Sequence, residues 1–101
     1  MNIQTYKNVP VVVKAIQLIN DPDRILEVLN FIFHTDYSKN SSDSLLILSI
    51  VEREKGIVIP TAEGKLFAEF GDYVVRGPQG GYYPCKPDAF EEGYMLSNES
   101  K

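Results

Sequence analysis

The chain has 101 residues, 10 Lys plus Arg against 14 Asp plus Glu, a net charge of −4, one His, one Cys and no Trp. That length fits one domain spanning residues 1–101 and leaves no room for a second core. A single cysteine excludes an internal disulfide, one cysteine with one histidine excludes a thiolate–imidazole zinc cage, and the acidic balance argues against duplex nucleic acid as a partner.

With 44% hydrophobic and 24% charged residues, the composition is that of an ordinary globular domain rather than a disordered chain. Met1–Lys7 is polar and mixed, without a signal-type apolar core. The longest apolar runs, Val9–Val13 and Leu45–Val51, fall far short of the roughly 20 residues that a membrane helix needs. The expectation is a soluble intracellular protein with no membrane partner and with Cys85 as a free thiol.

In chain order, Val9–Leu18 is rich in β-branched residues and alternates from residue 12, with Val13, Ala15 and Gln17 on one side and Val12, Lys14 and Ile16 on the other. It predicts a strand with Pro10 near its start, where a missing N–H is tolerated. Asn20-Asp21-Pro22-Asp23 then carries a helix-start pattern, a capping side chain before Pro and an acid at the positive end of the dipole. Ile25, Leu26, Leu29, Ile32 and Phe33 recur at helical spacing, which predicts a helix over 22–33.

Thr35–Ser44 is polar and turn-forming, and predicts a mobile loop. Leu45–Val51 reads as a continuous apolar strand covered on both faces, and Glu52–Gly56 as a charged hairpin turn into Ile57–Ile59. Short strands follow at Lys65–Phe70, Asp72–Arg76 and Gly81–Tyr83, separated by Ala62-Glu63-Gly64, Phe70-Gly71-Asp72 and Gly77–Gly81. Lys86–Glu91 predicts a single helical turn, Tyr94–Leu96 a last strand, and Ser97–Lys101 a flexible tail. The order implies an α+β fold, a single small domain with one main helix packed on a strongly bent, mostly antiparallel sheet of short strands.

The densest chemistry lies in Gly71–Gly77 and Tyr82–Phe90. Read as a ligand site, Tyr82 and Tyr83 offer flat stacking faces, and Arg76 and Lys86 supply charge for a phosphate or carboxylate. In Ile59-Pro60-Thr61-Ala62-Glu63-Gly64, Thr61 and Glu63 point polar groups toward a cleft on a site reading, while Pro60 at a strand end and Gly64 in a turn account for the segment on a structural one. Lys14 on the first strand adds a cation. Read as structure, Gly71-Asp72 sets a tight turn, Tyr73 and Tyr83 fill the core, and Pro84 and Pro87 fix a corner.

Cys85 beside Lys86 has the neighbour that lowers a thiol pKa, but the sole histidine, His34, falls at the end of the predicted helix with nothing tying it to Cys85. A structural thiol is the expectation. The carboxylates are scattered, with Glu91-Glu92 the one adjacent acidic pair, and no spacing matches a metal loop or a two-carboxylate hydrolase. Gly77–Gly81 lacks the Gly-Lys-Ser/Thr ending of a phosphate loop. No catalytic residue, metal or cofactor is therefore assigned.

Pro10–Gln17, Ile59–Gly64, Gly71-Asp72-Tyr73 and Tyr83-Pro84-Cys85-Lys86-Pro87-Asp88-Ala89-Phe90, in that order, resemble a widespread family of small proteins encoded by bacteriophages and prophages. The resemblance runs from Pro10 to Phe90, and Tyr-Pro-Cys-Lys-Pro-Asp is its most specific part. Family members often carry paired lysines where Asn8-Val9 stand here, and the Thr35–Ser44 loop is particular to this chain.

The resemblance implies a setting, an infected bacterial cytoplasm, and no mechanism. In that setting the expectation is a counter-defence protein: a non-enzymatic, homo-oligomeric binder that sequesters a nucleotide-derived immune signal of cyclic or ADP-ribose type. The alternatives are an acidic inhibitor of a host protein and, third, an enzyme degrading a nucleotide signal. The net charge does not oppose the first, because a local pair of cations outweighs distant charge screened beyond about 10 Å.

Overall fold

The structure, a computed structural model, describes residues 3–8, 11–38, 41–93 and 95–96. The expected strand-start Pro10, Tyr94 and the tail 97–101 lie outside the described residues. In chain order the elements are β1 (Gln4–Asn8), β2 (Val11–Gln17), α1 (Pro22–Phe33), α2 (Ser42–Glu54), β3 (Gly56–Thr61), β4 (Gly64–Glu69), β5 (Tyr73–Arg76), β6 (Tyr82–Cys85), α3 (Pro87–Gly93) and β7 (Met95–Leu96). The fold is α+β, with three helices and a bent antiparallel sheet of short strands among the described residues. The main sheet runs β6-β5-β2-β1-β7, and β3 and β4 form a separate hairpin that packs beside β6.

The alternation in β2 builds a core on both faces of the sheet. Val13 and Ala15 join Val75 and Phe90 on one face, while Ile16 and Leu18 join Val74, the inner residues of α1 and the hairpin residues Ile57, Ile59 and Ala68 on the other. A central strand covered on both faces needs apolar residues at successive positions, which its β-branched run supplies.

Helix α1 begins where its cap predicts. The Asp21 carboxylate accepts the Arg24 N–H at 3.1 Å with Pro22 in the first turn, a cap worth about 1 kcal/mol. Ile25, Leu26, Leu29 and Ile32 are buried as expected, together with Val28 and Phe31. Phe33, the fifth expected member of that face, is 41% exposed instead. It is the last helical residue, where the cover over the apolar stripe ends.

The largest departure lies at residues 42–54. Leu45–Val51 is not a strand but the body of α2, and Glu52–Glu54 is its last turn rather than a hairpin. The expected loop over 35–44 ends at Ser41, whose hydroxyl accepts the Ser44 N–H at 3.1 Å and so caps the helix. Asp43 sits in the first turn, at the positive end of the dipole. Lys55 closes the helix at φ 63°, its N–H donating to the Val51 carbonyl at 2.8 Å. An apolar run of this length satisfies a strand or a helix period equally, and here the caps and the contact with α1 decide.

β1 was not foreseen, because Gln4–Asn8 carries no apolar alternation; its pairing with β2 from Gln4↔Ala15 to Asn8↔Val11 makes it a strand. The short pieces after residue 56 fall close to expectation. Between β4 and β5, Gly71 stands at φ +100°, a conformation that favours glycine. Its N–H donates to the Leu18 carbonyl at 2.6 Å and the Leu18 N–H donates to the Asp72 carbonyl at 2.9 Å, so this turn ties the hairpin to the end of β2.

Candidate functional site

Sheet register brings three of the predicted residues into line. Lys14 in β2 stands opposite Arg76 in β5, and Arg76 stands opposite Tyr82 in β6. Thr5 of β1 extends the row beyond Lys14. Directly opposed residues in antiparallel strands share a face, here the face that α1 covers, since Tyr82 packs against the same cluster as Ile16 and Val74. The next positions inward, Ile16 and Val74, are buried, whereas Lys14 and Arg76 are exposed. The row therefore marks the line at which α1 stops covering the sheet.

The end of α1 anchors Tyr82. Its ring meets Phe31 edge-on at 5.3 Å, and its hydroxyl shares a 3.2 Å hydrogen bond with His34 Nε2. His34 is the C-cap of α1 at φ 55°, a left-handed conformation uncommon outside glycine. The helix-end position of His34 follows from the sequence; its partner does not, because Asn30–His34 and Tyr82 meet only in the tertiary fold.

Beside Tyr82 lies an open groove of about 990 Å³ between the tip of the β3–β4 hairpin and the β5–β6 turn. Thr61 lies along it, and its hydroxyl donates to the Gly64 carbonyl at 2.6 Å and so closes the hairpin. Gly77–Gly81 forms the opposite wall, closed by the Gly77 N–H donating to the Gly81 carbonyl at 2.8 Å. Arg76 immediately precedes that wall. The turn length was readable, and counting back from it would have set Arg76 opposite Tyr82.

The other predicted members separate. Tyr83 also borders the groove, but successive strand residues face opposite sides, and its ring packs into the second cluster with Val13, Val75 and Phe90. Tyr82 and Tyr83 thus form no common stacking platform. Lys86 lies past the far end of β6, four positions along the chain from Tyr82 of the Tyr82–Arg76 pair. There it pairs with the buried Asp72 at 3.2 Å and with Glu69 at 3.6 Å. The expected flanking of the tyrosines by Arg76 and Lys86 is replaced by Arg76 with Lys14.

Asp72 also accepts the Glu69 N–H at 3.0 Å, which makes this a structural knot at the β4–β5 turn. The hydrogen bond to Asp72, reinforced by the charges of Asp72 and Glu69, holds the Lys86 ammonium above its ordinary pKa of 10.5. Cys85 is a free, half-buried thiol. Burial pushes it up from its ordinary 9.0, and the Asp72 charge adds to the effect. Burial and then the Asp72 charge act on Cys85 against the lowering suggested by its adjacency to Lys86, whose ammonium is paired with Asp72. His34 lies at the other end of β6, so no cysteine–histidine pair forms.

Among the described residues no group of three or more His, Cys, Asp or Glu side chains could hold a metal ion, and no helix is long and apolar enough to cross a membrane. Comparison with protein-family models, with curated proteins and with solved structures finds no match to this chain.

Proposed function

We propose that the protein is a non-enzymatic binder that sequesters a small nucleotide-derived ligand, of cyclic or ADP-ribose type, as a phage counter-defence protein in the bacterial cytoplasm. The observation that carries this reading is a groove lined by Tyr82, whose direct cross-strand neighbour is the exposed Arg76. An aromatic ring and a glycine-rich turn lining the groove, with a guanidinium on the neighbouring strand, suit a ligand with a planar part and an anionic part. The groove is open to solvent, and the reading includes a homo-oligomer in which a second copy closes it, as small domains often build their deeper pockets between subunits.

Calorimetry against a panel of cyclic di- and trinucleotides and ADP-ribose derivatives tests the reading. The expected result is one class binding below the micromolar range and recovered unaltered after the protein is denatured. If nothing in the panel binds more tightly than micromolar, the reading fails, and if the ligand is recovered cleaved, the protein is an enzyme. Inhibition of a host protein is the second reading, favoured by the exposed Leu45, Leu46, Val58 and Phe67. A stoichiometric host protein retained from lysate, with no small ligand, supports it over the first.

A further inference from the structure

Lys14 lies on β2, the middle strand of the five-stranded sheet, and its direct cross-strand neighbour is Arg76. Such neighbours have Cβ atoms about 5 Å apart, and like charges in that position destabilise a sheet. Elsewhere this protein pairs its clustered charges, as Lys86 with Asp72 and Glu69. Among the described residues neither Lys14 nor Arg76 has an acidic group within ion-pair distance. The sheet register therefore holds the two exposed cations together, with no acidic partner in ion-pair distance among the described residues.

We infer that Lys14 and Arg76 form the subsite for a phosphate-type oxyanion, with the planar part of the same ligand lying toward Tyr82 and the groove. This rests on the proposed nucleotide reading and adds which end of the ligand lies where. An oxyanion between the two head groups accepts charge-assisted hydrogen bonds from both, and the forked Arg76 guanidinium adds a bidentate geometry that an ammonium lacks. The strand ladder fixes the backbone and Cβ positions of both residues before the ligand arrives, so binding has to order only their side chains. The same opposition makes the empty site mildly unfavourable, and ligand binding relieves it.

A purely structural role for these cations is distinguishable. Helix α1 has no basic residue in its last turn, and cations near its C-terminus would favour its carbonyl ends. On that account Lys14→Gln and Arg76→Gln lower the melting temperature of the free protein. On the subsite account they leave it unchanged or raise it.

The deciding experiment measures melting temperature and calorimetric affinity at constant ionic strength for the wild type, Lys14→Gln, Arg76→Gln and Arg76→Lys, with inorganic pyrophosphate as the probe. The expected result is saturable stabilisation of the wild type, affinity weakened about tenfold or more in each glutamine variant, and partial retention in Arg76→Lys. Equal pyrophosphate affinity in all four proteins overturns the subsite, as does a lowered melting temperature of both free glutamine variants together with no pyrophosphate binding to the wild type. A nucleotide that binds the wild type and Lys14→Gln equally well removes the subsite and leaves the nucleotide reading standing. Pyrophosphate bound at Lys14 and Arg76 with no nucleotide bound removes the nucleotide reading and leaves the subsite.

Discussion

Lys86 shows how far a residue's neighbourhood in the chain can differ from its neighbourhood in the fold. In sequence it flanks Cys85 and invites a reading as a thiol activator or an anion ligand. In the fold it answers a carboxylate that is nearly sealed from water, Asp72 being 3% exposed. A buried carboxylate without a partner is strongly unfavourable, so the pairing serves the turn and not a ligand. Because the folded-state pKa of Lys86 is raised above 10.5, the folded chain holds this proton more tightly than the unfolded one. Its stabilising contribution is complete below that value and is lost as pH rises through the folded-state pKa. Lys86→Met is expected to lower the urea midpoint at neutral pH, with the gap to wild type closing under strongly alkaline conditions. A gap that widens above pH 10.5 would contradict the ion pair. The turn itself was legible from Gly71-Asp72, whereas the partner of Lys86 was not, because Asp72 lies 14 positions away along the chain.

At the scale of elements, α1 and α2 make a controlled contrast. Both begin with a capping side chain and both end on a left-handed non-glycine residue, His34 and Lys55. Only α1 shows a clean amphipathic stripe. In α2 the apolar residues run almost unbroken, and just Ser44 and Val51 are fully buried, so the periodicity that reveals one helix is missing from the other. Two substitutions test this account. Ser41→Ala removes the α2 cap and is expected to cost about 1 kcal/mol in urea unfolding. Leu46, 63% exposed, is expected to tolerate Lys within about 0.5 kcal/mol; in a strand covered on both faces the same change would bury a charge and cost several times more. The predicted lysine tolerance is the sharper of the two, since only the helical placement allows it.

At the scale of the whole molecule, the sheet carries a core on each face, and the smaller one centres on its one fully buried aromatic, Phe90. Phe90 of α3 is 1% exposed and stacks on Tyr73 at 4.2 Å with an interplanar angle of 18°. Phe90→Ala is expected to cost about 3–5 kcal/mol, a large share of the roughly 5–15 kcal/mol that stabilises a domain of this size. Far-UV and near-UV circular dichroism through a urea titration would measure it, and a loss below 1 kcal/mol would mean that α3 contributes little to the core. The segment Tyr83–Phe90 is thus explained largely by packing: Tyr83, Cys85 and Phe90 face one cluster, and Lys86 pairs with Asp72.

What the sequence by itself determined was local: the β2 alternation, the Asp21-Pro22 start of α1, the glycine turns at Gly71 and Gly77–Gly81, and through them the α+β class. Each of these depends on backbone preferences and periods that act over a few residues. The tertiary structure alone decided that Leu45–Val51 is a helix, that Gln4–Asn8 is a strand, and that Arg76 faces Lys14 and Tyr82 while Lys86 faces Asp72. Those outcomes depend on pairing between segments distant in the chain, where burial and cross-strand register outweigh local preference. Length and net charge are global properties, but an anion site needs only two cations brought opposite each other. Strand register, which no composition records, does that for Lys14 and Arg76.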